Sequence, residues 1–346
     1  MYYRCPTCNL VWYYPLHECV YCHHNVEHIL PQHFKIVGIT NVNIASVQNP
    51  KVPYAVLLLE DEHGQTHTRK TFKTYEIGQT LDWPSGKLDL KTGVALQKIG
   101  YDFEATLQTL LTLFPTRTFD PAQKILLKVT LTPTESCPLL TSPELARLMI
   151  AWLHTNGAGQ DQITLVDRLP RDADVDSILT TSGFAELAQT YAWINLTTEA
   201  HESIPDQNVL FDIPQTVLHA NFMVHLPILK IPTHKAMAPI TESLATLLPG
   251  QLGHNLEKML NYRTSSNLLP DILHVVDAAQ AVVNPSSDSF KTVSPKLLLA
   301  SYSNKPLDRA IADMARKPYH DRLTNTDTNL LGEELAVLQS EWSLFT

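Results

Sequence analysis

Two pairs of cysteines open the chain. Cys5-Pro-Thr-Cys8 and Cys19-Val-Tyr-Cys22 each bring two thiols into one tight turn, with Asn9 to Glu18 as the spacer between them. Two such turns complete a tetrahedron of soft ligands suited to Zn²⁺. The spacer has the length of a short hairpin, and its Trp12, Tyr13 and Tyr14 are placed to cover a small metal core. A site of four cysteines has no open coordination position, so its expected role is structural and not catalytic. An iron ion or a pair of disulfides would use the same four residues. His17, His23 and His24 lie close by, but the tetrahedron is already filled without them.

A second set of reactive residues lies far down the chain. Lys230, Thr233 and His234 sit in Pro227-Ile-Leu-Lys-Ile-Pro-Thr-His, just after an apolar strand that ends near Leu226. Asp277 closes the strand Ile272–Val276, and Lys128 lies within the strand Lys124–Leu131. Ligands of open α/β sheets bind beyond the carboxyl ends of the strands. A lysine and an imidazole in one crevice can hold an anion and move a proton near neutral pH. Lys230, His234 and Asp277 are therefore the candidate catalytic residues, with the carboxylate orienting the imidazole, and Lys128 and Thr233 are candidate ligand-binding residues. Against this stands a plainer reading: a solvated Lys230, a loop-capping His234 and a turn-closing Asp277. Nearer the N-terminus, Arg69, Lys70 and Lys73 form a local basic strip that could face a phosphate, with Tyr54 or Phe72 at hand for a stacked base. A solvated strand face is the competing reading there.

The elements that must carry these residues fall into two regimes. His33 to Ile44, Tyr54 to Glu60, Thr66 to Phe72 and Ile77 to Trp83 read as short strands, the pattern of a small OB-like barrel. From Lys124 onward strands alternate with helices. Lys124–Leu131 is apolar enough for a buried parallel strand. Ser142-Pro143-Glu144 is a helix start, with Ser at the N-cap and Pro at the first helical position, and Asn156-Gly157 is its stop. Strands at Ile163–Val166, Trp193–Leu196, Asn221–Leu226, Ile272–Asp277 and Lys296–Ser301 follow. Helices are expected at Asp176–Gly183, Phe184–Thr190, Ala238–Leu248, Leu252–Tyr262 and Pro306–Arg316, with a terminal helix at Leu330–Trp342. The expected class is α/β plus small all-β: a zinc ribbon (1–30), an OB-like barrel (31–85), a linker with one helix (86–123) and an open, mostly parallel α/β sheet domain with a terminal helix (124–346).

Composition bounds the function. The chain has 346 residues, 44% hydrophobic and 18% charged, which is enough to bury a sizeable core. Its formal charge of −9 argues against non-specific binding to nucleic acid. No run approaches a membrane span and the N-terminus lacks the basic-then-apolar pattern of a signal peptide, so a cytoplasmic location off the membrane is expected. Four of the five cysteines crowd into residues 5–22, which suits an intracellular metal site plus one spare thiol at Cys137.

Two family resemblances add to this. The N-terminal pattern is CPxC, then Tyr14-Pro15, then CxxC, then Gly38-Ile-Thr40, then Pro53-Tyr54 and Ile77-Gly78. It resembles the zinc-ribbon/OB-fold acyl-CoA-associated family, domain of unknown function 35, over residues 1–85. The resemblance implies a module that accompanies thiolases and related condensing enzymes and holds or channels a CoA thioester. In that family a helix usually leads into the ribbon, and the four residues ahead of Cys5 in this sequence are too few to form one. The second pattern is the Lys-bearing first strand, Gly157-Ala158, Gly183-Phe184, Pro-x-x-Lys230…Thr233-His234, Val275-Val276-Asp277, and Ala300-Ser301 followed by a helix with an early Asp308. It resembles domain of unknown function 362 over residues 120–318, a family of α/β proteins often joined to ferredoxin-type modules. No ferredoxin cysteines follow here, and the usual Lys-Asn-Leu-Gly segment is replaced by Thr241-Glu-Ser-Leu244, which points to a divergent member. The function expected is acyl-CoA or thioester handling, with the ribbon–barrel module presenting the acyl-CoA to the α/β domain or to a thiolase-like partner enzyme. A non-catalytic scaffold and single-stranded nucleic-acid binding through the barrel are the alternatives.

Overall fold

The computed structural model describes the chain apart from residues 1, 13, 15, 30, 32, 47–50, 83–87, 101, 132–139, 207–208, 233–236, 251–254, 256–258, 260–268, 284–290, 316, 318–328 and 333–346. Thr233, His234 and the expected helix Leu252–Tyr262 fall wholly or largely outside the described residues.

The N-terminal part holds two small antiparallel sheets. Strands β1 (Tyr2–Arg4), β2 (Val11–Trp12) and β3 (Glu27–Ile29) form the first, in the order β2-β1-β3. The second contains β4 (His33–Val42), β5 (Tyr54–Asp61), β6 (Thr66–Thr71) and β7 (Thr80–Asp82), in the order β6-β5-β4-β7. Period-two alternation buries Phe34, Ile36, Leu57 and Leu59 on one face of this sheet. Tyr2 ties the two sheets together, because its hydroxyl reaches the buried Asp61 and His67 at the β5–β6 hairpin.

The remainder is built on one mixed sheet. In chain order its parts are β8 (Gly93–Lys98), α1 (Phe103–Thr112), β9 (Ile125–Lys128), α2 (Pro143–Thr155), β10 (Ile163–Asp167), α3 (Val175–Thr181), α4 (Ala185–Thr190) and β11 (Ala192–Asn195). A hairpin of β12 (His201–Asp206) and β13 (Val209–Pro214) and the short α5 (Gln215–Leu218) come next. Then follow β14 (Phe222–His225), β15 (Ile228–Ile231), α6 (Pro239–Ala245), β16 (Asp271–Val283), β17 (Lys291–Val293), β18 (Leu297–Ser301), α7 (Asn304–Ala315) and β19 (Asn329–Gly332). The strand order is β11-β10-β9-β14-β16-β18-β8-β19, with β15 and β17 also paired to β16. The run from β11 to β16 is parallel, whereas β18 is antiparallel to both its neighbours.

One face of the sheet packs on α1 to α4 through Ile125, Leu127, Val224, Leu273 and Ala300. The other packs on α6 and α7 through Met223, Val276, Leu299, Leu244 and Ile311. The caps behave as their chemistry requires. Ser142 accepts a bond from the Leu145 N–H at the start of α2, and Asp102 accepts one from Ala105 at the start of α1. Among the described residues no helix is long and apolar enough to cross a membrane.

Two segments differ from the sequence reading. The stretch 86–123, expected as a linker, supplies strand β8 as well as its helix, because Val94, Ala95 and Leu96 are fully buried between β18 and β19. The first residues of the expected helix Leu330–Trp342 instead belong to the strand Asn329–Gly332, parallel to β8, and the rest of that helix lies outside the described residues. Gly93 shows how tightly β8 is seated. A Cβ there would lie 2.4 Å from the Asp89 carbonyl oxygen and 2.5 Å from Leu88 Cδ2. Gly93→Ala should therefore lower unfolding free energy by about 1–3 kcal/mol, the range for overpacking a close-packed site, as read by urea denaturation.

Candidate functional site

The crevice of interest follows from strand order. The chain runs from β9 outward to β10 and β11, then returns to place β14 on the opposite side of β9. The carboxyl ends of β9 and β14 thus flank the point where the connections diverge, which is where open α/β sheets leave room for a ligand.

The register lines up a polar row there. Lys128 pairs with His225, His225 with His274, and His274 with Ser301, so all four share one sheet face. Lys128 is 1% exposed, and its Nζ donates to Asp167 Oδ1 at 2.8 Å and to the Val129 carbonyl at 2.7 Å. Asp167 also accepts the Leu131 N–H, at 2.6 Å. His225 Nδ1 lies 2.9 Å from His274 Nδ1, and His225 Nε2 lies 2.9 Å from the hydroxyl of Ser243 on α6. Burial holds His225 well below its ordinary value, helped by His274 and the Lys128 charge. Burial alone pushes His274 down to about 3. Both rings are neutral at physiological pH.

A cavity of about 190 Å³ opens against this row. Lys128, Thr130, Asp167, Lys230, Glu242 and Ser243 line it, together with Arg168. The Thr130 hydroxyl is buried with no hydrogen-bond partner among the described residues. Asp277 is elsewhere. It lines a separate cavity of about 240 Å³ with Ser142 and Leu145 at the start of α2. Burial raises its carboxyl above the usual range, against the lowering effect of the Ala279 N–H. Lys128 and Lys230 are therefore brought together, and Asp277 is not placed with them. Lys128 is committed to Asp167, so it shapes the cavity wall through its ion pair.

The wall is fixed from behind by Asp308. This residue of α7 is fully buried and accepts the N–H groups of Ile240 and Thr241 and the Thr241 hydroxyl, capping α6 from another helix. Burial pushes its carboxyl up to about 7, against the lowering effect of those three donors.

The basic strip near the N-terminus divides. Leu57 pairs with Arg69 and Val56 with Lys70, so alternation sends Arg69 to the face of buried Leu57 and Lys70 to the other. Lys70 Nζ sits 4.5 Å above the Tyr54 ring, and Lys51 sits 4.8 Å above Phe72. Lys73 lies just past the strand, where its N–H donates to Thr71 Oγ1.

The four cysteines converge. Their sulfurs all lie within 4.8 Å of one another, and none is in a disulfide. Tetrahedral ligation at a Zn–S distance of ~2.3 Å needs sulfurs about 3.8 Å apart. Cys5–Cys22 at 3.4 Å and Cys8–Cys19 at 4.0 Å bracket that value. The two turns are built alike. The residue after each CxxC, Asn9 or His23, has φ 56° and donates its N–H to the carbonyl of the first cysteine. Such a cluster can hold one metal ion. Trp12 packs against it, while Tyr14 is exposed.

The model of DUF362, a domain of unknown function, matches residues 125–319. The chain belongs to this family. No curated protein matches it. The DUF362 match begins at β9 and ends beyond α7, so it contains the crevice, the histidine row and the Asp308 cap. Sequence reading passed over His225, His274, Asp167 and Ser243. The available signal was one histidine at a matching depth in each of two otherwise apolar strands, Phe-Met-Val-His225 and Ile-Leu-His274.

The buried groups set opposing pH dependences. Unfolded, His274 binds a proton near 6.5, but folded only near 3, so its contribution to stability falls as pH drops through that window. Asp308 acts the other way. Folded, it keeps its proton to about 7 and unfolded only to 3.8, so its contribution falls as pH rises between those values. His274→Gln should flatten the rise of stability with pH over roughly pH 4–6 by about 1.4 kcal/mol per pH unit, and Asp308→Asn should steepen it by the same amount. Urea denaturation at each pH reads both slopes.

Proposed function

We propose that the protein handles an acyl thioester, with the DUF362 domain receiving the acyl end in the cavity beside Lys230. The supporting observation is that cavity. It stands at the diverging ends of β9 and β14 and carries Lys230 and Arg168, with Thr130 and Ser243 offering hydroxyls. Its volume of about 190 Å³ is below the range of about 300–1,000 Å³ usual for whole drug-sized ligands, so it suits a short acyl or carboxylate group whose nucleotide lies outside. Lys230 has no acidic partner among the described residues, which leaves its charge available to an anion.

The N-terminal part fits the same reading as a zinc ribbon followed by an OB-like module of the acyl-CoA-associated type. The outward patch of Lys51 and Lys70 over Phe72 and Tyr54 offers cations for phosphates and rings for a base. Zinc, bound by Cys5, Cys8, Cys19 and Cys22, serves structure there. Two features support zinc: the ligand set is all thiolate, and the segment has little apolar core beyond Trp12, Leu16 and Val26.

Two measurements test this. Metal analysis should give one zinc per chain for the wild type and none for Cys19→Ser, with that variant losing N-terminal protection from proteolysis. Calorimetry with acetyl-CoA should show binding that Lys230→Ala weakens by about 10- to 100-fold, the loss expected for a charge-assisted contact, with the thermal midpoint unchanged. Tighter binding of a single-stranded oligonucleotide, with a steep salt dependence, would overturn the thioester reading in favour of nucleic acid.

A further inference from the structure

We infer that Ser243 is an activated nucleophile, with His225 as its base and His274 as the residue that positions that base. The inference rests on the acyl-thioester reading for its substrate, but the geometry that carries it is independent.

Three observations converge. Ser243 lines the cavity that holds Lys230, and its hydroxyl lies 2.9 Å from His225 Nε2. The opposite nitrogen of that ring lies 2.9 Å from His274 Nδ1, so base and orienting partner stand in line behind the hydroxyl. Thr130 brings to the same cavity a buried hydroxyl with no hydrogen-bond partner among the described residues, a donor for a developing oxyanion beside Lys230. The proton placement that activates Ser243 satisfies the whole chain. Ser243 donates to His225 Nε2, His225 donates from Nδ1 to His274 Nδ1, and His274 carries its own proton on Nε2. His274 also lines a cavity of about 260 Å³ with Arg117 and Tyr302, so the far end of the chain is not sealed in apolar core.

The reaction balances without a further reagent. Ser243 Oγ bonds to the acyl carbonyl carbon, and its proton passes to His225 Nε2. The carbon–sulfur bond breaks, and the thiolate leaves with that proton as a free thiol. Water, deprotonated by the same nitrogen, then attacks the acyl ester. The ester bond to Oγ breaks, Ser243 regains a proton, and a carboxylic acid departs.

Charged groups line the cavities at both ends of this chain: Lys128 on β9, Asp167 on β10 with Arg168 just beyond it, Lys230 on β15 and Glu242 on α6 beside Ser243, and Arg117 and Asp271 beside His274. Because burial keeps both rings neutral into the acid range, the base form persists well below the ordinary histidine value of 6.5. The reactivity of Ser243 should therefore persist below pH 6.5 instead of falling away with a midpoint there.

Full-length protein treated with diisopropyl fluorophosphate and read by intact and peptide mass spectrometry tests this. One adduct on Ser243 is expected. It should be absent in Ser243→Ala, slowed about 100-fold or more in His225→Gln, and slowed less in His274→Gln, whose labelling should gain an altered pH profile. Acetyl-CoA should leave a transient acetyl group at the same residue. Labelling by the fluorophosphate without acetylation would uphold the nucleophile and overturn the thioester reading. Acetyl-CoA binding with no adduct from either reagent would overturn the nucleophile and leave that reading standing. An adduct that survives Ser243→Ala, or wild-type labelling lost with a midpoint near pH 6.5, would also overturn it, and the latter needs no variant to fold.

Discussion

The ion pair between Lys128 and Asp167 constrains everything built at the carboxyl end of the sheet. Both groups are withdrawn from water, and a buried charge left without its partner costs about 3–5 kcal/mol. The pair can form because β9 and β10 are parallel and in a register that sets Val166 opposite Lys128, which puts Asp167 one step beyond. Each partner then spends its remaining bonding capacity on the loop leaving β9: Lys128 on the Val129 carbonyl, Asp167 on the Leu131 N–H. The backbone that carries Thr130 is thereby held on both sides. This ion pair ties down the backbone at the cavity floor, and among the described residues Lys230 has no comparable acidic partner.

A second constraint acts from the helical layer. The α6 helix is short, and a short helix gains little from its own hydrogen bonds. Its position depends on the carboxyl of Asp308, which takes two of its first N–H groups and the Thr241 hydroxyl, while Asn304 donates to that hydroxyl as well. The early acid in the helix after the Ala-Ser strand, part of the pattern by which the chain resembles its family, thus has a physical role: α7 holds α6, and α6 holds Ser243 over His225. Loss of this cap would be felt at the cavity as misplacement before it was felt as unfolding, since geometry at a reacting centre tolerates errors of about 1 Å poorly.

Much of this fold was legible in the residues themselves. The two CxxC turns follow from spacing, α2 from Ser142-Pro143 and Asn156-Gly157, and the buried parallel strands from their unbroken apolar runs. What stayed hidden depends on register, which no local pattern carries. Arg69 and Lys70 are adjacent in sequence and opposite in space, because a strand turns each successive side chain over. Lys230 and Asp277 were paired by their nearness to strand ends. A register shift between Ile228 and Lys230 and the continuation of β16 to Val283 put them in different cavities. His225 and His274 are forty-nine positions apart and meet only because β14 and β16 are neighbours in register. Strand β8 extends the sheet from outside the alternating region, and β19 from a segment whose pattern reads as helix, so periodicity alone could not assign them to it.

Tyrosines tie the N-terminal part together and to this domain, and among the described residues its buried clusters are separate from those of the large sheet. Tyr2 reaches Asp61 and His67 on the four-stranded sheet, and Tyr3 reaches Asp102, which is also the N-cap of α1. Burial and the neighbouring Asp102 carboxylate both raise the Tyr3 hydroxyl well above its ordinary value, so it remains a hydrogen-bond donor. Both tyrosines belong to β1, the strand that leads directly into Cys5. Whatever fixes the cysteine cluster therefore also fixes the strand from which these two contacts project. The cysteine cluster, remote in sequence from the crevice, is joined to the rest of the molecule through this path. A metal ion bound there would add folding free energy to a segment with little apolar core, and Tyr2 and Tyr3 would carry that order to β5, β6 and α1.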